Sequence, residues 1–285
     1  MPGPHTVHYG GNTTCVEIQV GRHTLIIDSG TGIINLGREL VRYSAENGNR
    51  PIHITLLFTH THHDHTQGFP FFAPALIGKS TLNILGPHTF EQSLDEVLHT
   101  VVLTPNFPVS LKDMPSLKVF HSLRANQALL IGPETGHIRI CNVYLDYIDP
   151  SPELVRVRIL KSYAHPGSGV YVYRVEWQGR SVVFASDTEG YTGVDRRLAA
   201  FANQTDLLIH DAQYTQEDYL NGKQGWGHST PEMACEVARM SNARRLVLFH
   251  HDPLYDDEKV AEIERAAQQL FQPTIAAYEG LEIVL

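Results

Sequence analysis

An apolar run, Leu56-Leu57-Phe58, gives way to four side chains able to hold a cation, His60, His62, Asp64 and His65, within six positions. Few features constrain a chain more, because such donors have to be delivered together by a buried strand that ends and turns. Side chains alternate along an extended stub, so His60 and His62 point the same way. A turn into a helix or loop would let Asp64 and His65 face the same cavity from another side. His63, at the intervening position, points away from the pair. Imidazole and carboxylate without thiolate suit zinc, manganese or iron. The plain alternative is a histidine-rich surface loop in a chain with 17 histidines, most of which lack ligand spacing.

The 285 residues suffice for a large core, read as a single domain over 1–285. Strand-like runs recur at Cys15–Val20, Thr24–Asp28, Ile54–Phe58, Thr81–Leu85, Leu154–Ser162, Val170–Trp177, Ser181–Ser186, Asp206–His210, Arg245–Phe249 and Leu281–Leu285. Helical patterns fall at Phe90–Val102, Thr230–Met240 and Asp257–Phe271, the second opened by Ser-Thr-Pro-Glu. This mixture predicts an α/β architecture of two mixed β-sheets packed together with helices outside. Thr104–Pro115 reads as a loop inside the domain.

A net charge of −9 gives no general pull on nucleic acid or anionic membranes, though a local basic patch stays open. Cys15, Cys141 and Cys235 are too scattered for a disulfide framework or a thiolate site. The start lacks a basic flank followed by an apolar run, and no stretch is long and apolar enough to span a bilayer, so a cytoplasmic location is expected.

The run His60-x-His62-x-Asp64-His65 resembles the signature of the metallo-β-lactamase superfamily, and further motifs follow in that family's order. Asp28 in Ile26-Ile27-Asp28-Ser29-Gly30 precedes the signature. His165 in Tyr163-Ala164-His165-Pro166-Gly167, Asp187 in Ala185-Ser186-Asp187-Thr188 and His250 in Leu248-Phe249-His250 follow it, each near the end of an apolar run. The resemblance implies an αβ/βα four-layer sandwich holding two divalent metal ions, zinc first and manganese or iron as alternatives. It places His60, His62 and His165 on one ion, Asp64, His65 and His250 on the other, and Asp187 between them. His251 and Asp252 compete with His250, which is preferred because it directly ends the strand. Asp28 either orients a ligating imidazole or caps a turn.

Two more segments, His210-Asp211-Ala212 and Gly227-His228-Ser229-Thr230, resemble the His-Glu-Ala-Thr and Gly-His-Ser-Thr segments of the ribonuclease Z branch, with Asp211 in place of Glu. By that resemblance His228 protonates the departing alkoxide and Asp211 orients it, and Asp64 is counted with them as catalytic. A loop histidine near a helix start is the plainer reading of His228.

Ribonuclease Z carries a long tRNA-gripping arm between the residues matching His165 and Asp187. Here that span holds one hairpin-like pair of strands. The expected function is therefore hydrolysis of a small anionic phosphodiester, a cyclic nucleotide best of all, by metal-bound hydroxide. The alternatives are a ribonuclease Z-like RNA endonuclease, a hydrolase of carboxyl esters, thioesters or lactams, and a non-catalytic metal-stabilised binding protein. Extended nucleic acid and membranes are not expected as partners, and a homodimer is implied by resemblance alone. Phe69, Phe71, Phe72 and Phe107 either roof the site or fill the core, and Gly10-Gly11-Asn12-Thr13 is a substrate-side backbone segment or a turn.

Overall fold

The apolar runs pair into two sheets, one in each of two compact units of the chain. In the computed structural model the described residues are 3–87, 92–103, 107–133, 137–149, 151–190 and 193–285. One unit comprises residues 12–124 and 132–138, and the other takes the N-terminal segment to Gly11 with 125–131 and 139–285.

The first unit is built on a five-stranded sheet in sequential order: β1 (Val16–Val20), β2 (His23–Ile27), β3 (Ile52–Leu57), β4 (Ser80–Pro87) and β5 (Leu117–Leu123). β1 runs antiparallel to β2, and every later pair is parallel. Its helices are α1 (Ile33–Glu46), α2 (His63–Thr66) and α3 (Leu94–Val101). Ile26, Leu56, Ile84, Phe69 and Phe72 are wholly buried in one cluster. Each removes enough apolar surface from water to contribute about 2 kcal/mol. Phe69 and Phe72 thus fill the core, whereas Phe71 is exposed and meets Phe107 edge-on at 5.5 Å. The helix expected over Phe90–Val102 is α3, started by a Ser93/Glu96 capping box. Phe90, like Asn106 of the expected loop, lies outside the described residues.

The second unit carries an eight-stranded sheet in the order β13-β12-β11-β10-β9-β8-β6-β7. Its strands are β6 (Gln127–Ile131), β7 (Ile138–Asn142), β8 (Val155–Ser162), β9 (Val170–Trp177), β10 (Arg180–Ala185), β11 (Leu207–Asp211), β12 (Leu246–Phe249) and β13 (Thr274–Ala276). β10 to β13 are parallel, and β9 runs antiparallel to both its neighbours. Its helices are α4 (Arg196–Phe201), α5 (Gln216–Asp218), α6 (Pro231–Met240) and α7 (Asp257–Leu270). Thr230 caps α6 by accepting from the Met233 amide, with Pro231 in the first turn.

The α/β class with two mixed sheets is as expected. One expected strand is absent: among the described residues Leu281–Leu285 pairs with no strand, and Thr274–Ala276 takes the edge beside β12 instead. Among the described residues no helix is long and apolar enough to cross a membrane.

The topology aims chemistry at one edge of each sheet. Parallel strands end together, and ligand-binding residues of α/β sheets collect beyond their carboxyl ends. β2 and β3 release Asp28 and the Thr59–His65 segment there. β8, β10, β11 and β12 share one direction and release His165, Asp187, Asp211 and His250.

Candidate metal centre

In the five-stranded unit Asp28 is the anchor. It has no exposure, and it sits in the left-handed region at φ 63°. Its carboxylate accepts from the Thr59 amide and hydroxyl and from His65 Nδ1, all at 2.8 Å. The Thr59 hydroxyl has one proton and gives it to Asp28. Its oxygen therefore accepts from His60 Nδ1, 3.1 Å away. Both imidazoles are thereby fixed with Nδ1 protonated and the Nε2 lone pair turned toward the other donors. His60 Nε2 lies 3.0 Å from His62 Nδ1, and His65 Nε2 lies 3.3 Å from Asp64 Oδ2. Two donors on one zinc stand about 3.3 Å apart, from bonds near 2.0 Å at the tetrahedral angle. The unit thus presents two donor pairs, each spaced for one ion. Gly30 makes this possible, since a Cβ there would lie 2.3 Å from the Asp64 carbonyl. His63 is exposed.

The position before the signature is thus an orienting carboxylate. Asp28→Asn keeps the shape but turns an amide N–H toward His65 Nδ1–H or removes the charge that fixes the tautomer. A 10–100-fold loss of metal affinity is expected, the usual size for an outer partner of a ligand. Competition against a chromophoric chelator measures it, and unchanged affinity would remove Asp28 from this role.

The eight-stranded unit presents a matching arrangement around Asp187, which is 2% exposed and also left-handed, at φ 55°. His165 Nε2 is 4.0 Å from its Oδ2, and His250 Nε2 is 3.5 Å from its Oδ1. Each imidazole again gives its Nδ1 proton to an oxygen, His165 to the Gly227 carbonyl at 3.1 Å and His250 to Gln213 Oε1 at 3.2 Å. A carboxylate with an imidazole lone pair beside each oxygen is the arrangement that one cation on either side would relieve. His251 turns elsewhere: its Nε2 meets the Ala277 carbonyl, and burial lowers its pKa to about 4. Left-handed backbone at a non-glycine residue costs ~1 kcal/mol or more. Asp28, Asp187 and His250 (φ 62°) all carry that strain at strand ends.

Asp211 and His228 lie beside this group. Ligand atoms of Asp187, Asp211, His228 and His250 fall within 4.8 Å of one another, so proximity alone would allow a four-residue ion site. Hydrogen bonding decides against Asp211 as a ligand. Its Oδ1 accepts from the Ser229 and Gln213 amides, and its Oδ2 accepts from the Asp187 amide and from His228 Nδ1 at 2.7 Å. Four donors use the four lone-pair positions of a carboxylate. Asp211 therefore reaches His228 despite being shorter than the glutamate of the resembled segment. It fixes the imidazole with Nε2 as the remaining proton site. The His228 ring stacks on His250 at 4.9 Å. His210 points inward, its Nδ1 on the Asp211 carbonyl and its pKa lowered by burial.

The sequence pattern did not single out Glu189, which is 2% exposed. Its carboxylate accepts from Tyr219 Oη at 2.7 Å and from the Gly225 and Gly227 amides at 2.8 Å, and so holds the loop leading into His228. That loop needs Gly227: φ is 92°, and a Cβ would fall 2.3 Å from His165 Nδ1. The available signal was an acid two residues after Asp187. Its partners lie 30 to 38 positions downstream.

A family model described as a beta-lactamase superfamily domain matches residues 23–251. A ribonuclease Z of Pyrococcus horikoshii is 26% identical over 272 residues, covering 88% of this chain and 84% of its own length. One from Bacillus subtilis is 25% identical over 252 residues, covering 80% of each. Among solved structures, human tRNase Z, short form, superposes with a TM-score of 0.63 at 20% identity, over 99% of this chain and 95% of that one. The metallo-β-lactamase fold protein YhfI from Bacillus subtilis gives 0.62 at 19%, over 94% and 90%. These two likenesses bear on fold, and the imidazole and carboxylate donors of both units suit divalent metals. With motifs in the same order and the family model spanning most of its length, the chain belongs to the metallo-β-lactamase superfamily, in the ribonuclease Z branch.

Proposed function

We propose that this hydrolase is a dinuclear metal-dependent phosphodiesterase acting on RNA, with both units forming one catalytic domain. His60, His62 and His165 would hold one ion, Asp64, His65 and His250 the other, and Asp187 would bridge them. Zinc suits these donors best, and manganese or iron also fit. The observation that carries the reading is the 2.7 Å Asp211–His228 pair seated beside Asp187 and His250. Hydrolysis of an alkyl phosphodiester expels a poor leaving group that needs a proton, and this pair is built to give one.

A bound pair of divalent cations supplies a nucleophile from water at neutral pH and neutralises charge on the phosphoryl oxygens. The protein's part is positional and acid–base. Asp28 and Thr59 set the tautomers of His65 and His60. Asp211 fixes the His228 ring so that Nε2–H can be donated to the departing oxygen. Glu189 and Gly227 hold the loop that places His228.

The sequence alone favoured a small substrate such as a cyclic nucleotide. Relatives named ribonuclease Z, aligned along most of their length, support RNA instead. One observation keeps the small substrate as a second reading. β9 and β10 join through Gln178 and Gly179, both at positive φ, a tight two-residue turn where a gripping arm would be inserted.

The test is metal-loaded protein assayed against an aryl phosphodiester, a precursor tRNA, cyclic mono- and dinucleotides and a lactam. Turnover of the aryl phosphodiester and the precursor is expected. Cyclic nucleotide turnover without RNA cleavage selects the second reading, and turnover of the lactam alone, or of nothing, overturns both.

A further inference from the structure

The eight-stranded unit has a concave feature at the strand ends opposite those that release His165 and Asp187. An open groove of about 590 Å³ is lined by residues at the start of β8, the end of β9, the start of β10 and the end of α4. Its charged lining is Arg156, Arg158, Arg174 and Arg180 against one carboxylate, Glu176. In a chain of net charge −9 this is a local reversal of sign.

Arg158 and Arg174 stand directly opposite each other on paired antiparallel strands, an arrangement that repels unless an anion intervenes. Glu176 serves both, at 2.7 Å from Arg174 Nε and a loose 3.9 Å from Arg158. Arg174 is otherwise spent on the fold, donating to the Phe201 and Asn203 carbonyls and to Ser181 Oγ. Arg180 is shared with Asp206, which also takes Arg244. Arg158 is about half exposed and lies over the Phe201 ring. Arg156 donates one nitrogen to the Asp149 carbonyl, but its Nε, shielded from solvent, has no hydrogen-bond partner among the described residues. The groove therefore holds guanidinium donors in excess of internal acceptors.

We propose that this groove binds the phosphodiester backbone of an RNA substrate, away from the site of cleavage; the inference rests on the RNA reading above. Arg156 and Arg158 are two residues apart on one face of β8, ~6.6 Å by strand rise, and Arg174 lies on the same face of β9, whereas Arg180 sits at the start of β10 where the groove meets the turn. That spread suits successive phosphates better than a single one. Phe201, beside Arg158, adds ring surface on which a base can stack. From Arg180 to Asp187 is about 20 Å along β10, so only an extended substrate reaches both places.

The test measures binding of a labelled single-stranded RNA with phosphorothioate linkages to the metal-loaded protein across a salt series, alongside hydrolysis of an aryl phosphodiester. The paired Arg156→Gln and Arg158→Gln substitutions should weaken RNA binding ~10-fold and flatten the log–log salt slope by about 1.4, at ~0.7 for each phosphate left without its arginine. Aryl phosphodiester turnover should be unchanged, which also reports that the variant is folded. Arg158→Ala alone, half exposed, should give about half the slope change. Unaltered affinity and slope with intact aryl turnover overturns the groove while leaving the phosphodiesterase reading standing. Displacement of the RNA by micromolar ATP also overturns it, assigning the groove to a free nucleotide. Loss of aryl turnover in the unsubstituted protein sinks the underlying reading instead.

Discussion

His228→Ala is expected to slow hydrolysis of an RNA phosphodiester by 10²–10⁴-fold, the usual contribution of a positioned general acid. The same change should cost far less on a nitrophenyl phosphodiester, whose leaving group departs without a proton. That difference separates a proton donor from a merely structural histidine. Asp211→Asn should reproduce most of the effect, because an amide facing His228 Nδ1 and the three backbone amides around it cannot accept all four hydrogen bonds. Equal losses on good and poor leaving groups would show that His228 only shapes the pocket.

Asp187→Ala is expected to lower kcat/KM at least ~100-fold on every substrate, about 3 kcal/mol of transition-state stabilisation, whatever the leaving group. The reason lies in the geometry around it. Its two oxygens face His165 and His250 separately, so removing it takes a donor from both sides at once. Metal content should fall in parallel, and adding excess zinc should not restore the rate. His228→Ala, in contrast, should keep its full complement of metal. A variant at Asp187 with full metal content and near-normal rate would contradict the bridging role.

Local pattern made much of this legible in the sequence. The Leu56–Phe58 run, the alternation of His60 with His62, and the strand ends before His165, Asp187 and His250 are statements about neighbours along the chain. The boundaries of β9 came out to the residue, because Val170–Trp177 is dense in valine and aromatic residues, interrupted only by Arg174 and Glu176. Features that depend on distant partners did not come out. α1 went unread because Gly32 opens it without a side-chain cap and Gly37 sits inside it; a Cβ at Gly37 would meet Phe72 at 2.8 Å. β5 and β7 mix charged and apolar residues and β6 is only five residues long, and they form strands because their neighbours in the sheets supply partners. Leu281–Leu285 has the composition of a strand and, among the described residues, no partner strand to make it one. Glu189 was invisible for the same reason, since its role is defined by amides in a loop more than thirty residues away. The arginine groove joins residues from three strands and a helix that no linear spacing links.

Anomalous scattering from crystals of the zinc-loaded protein tests the central claim most directly. The account predicts two peaks about 3.5–4 Å apart, one on either side of the Asp187 carboxylate. Each should lie about 2.0–2.2 Å from its histidine nitrogens, with Asp211 ligating neither. A single peak, none, or a peak bound by Asp211 and His228 would contradict it.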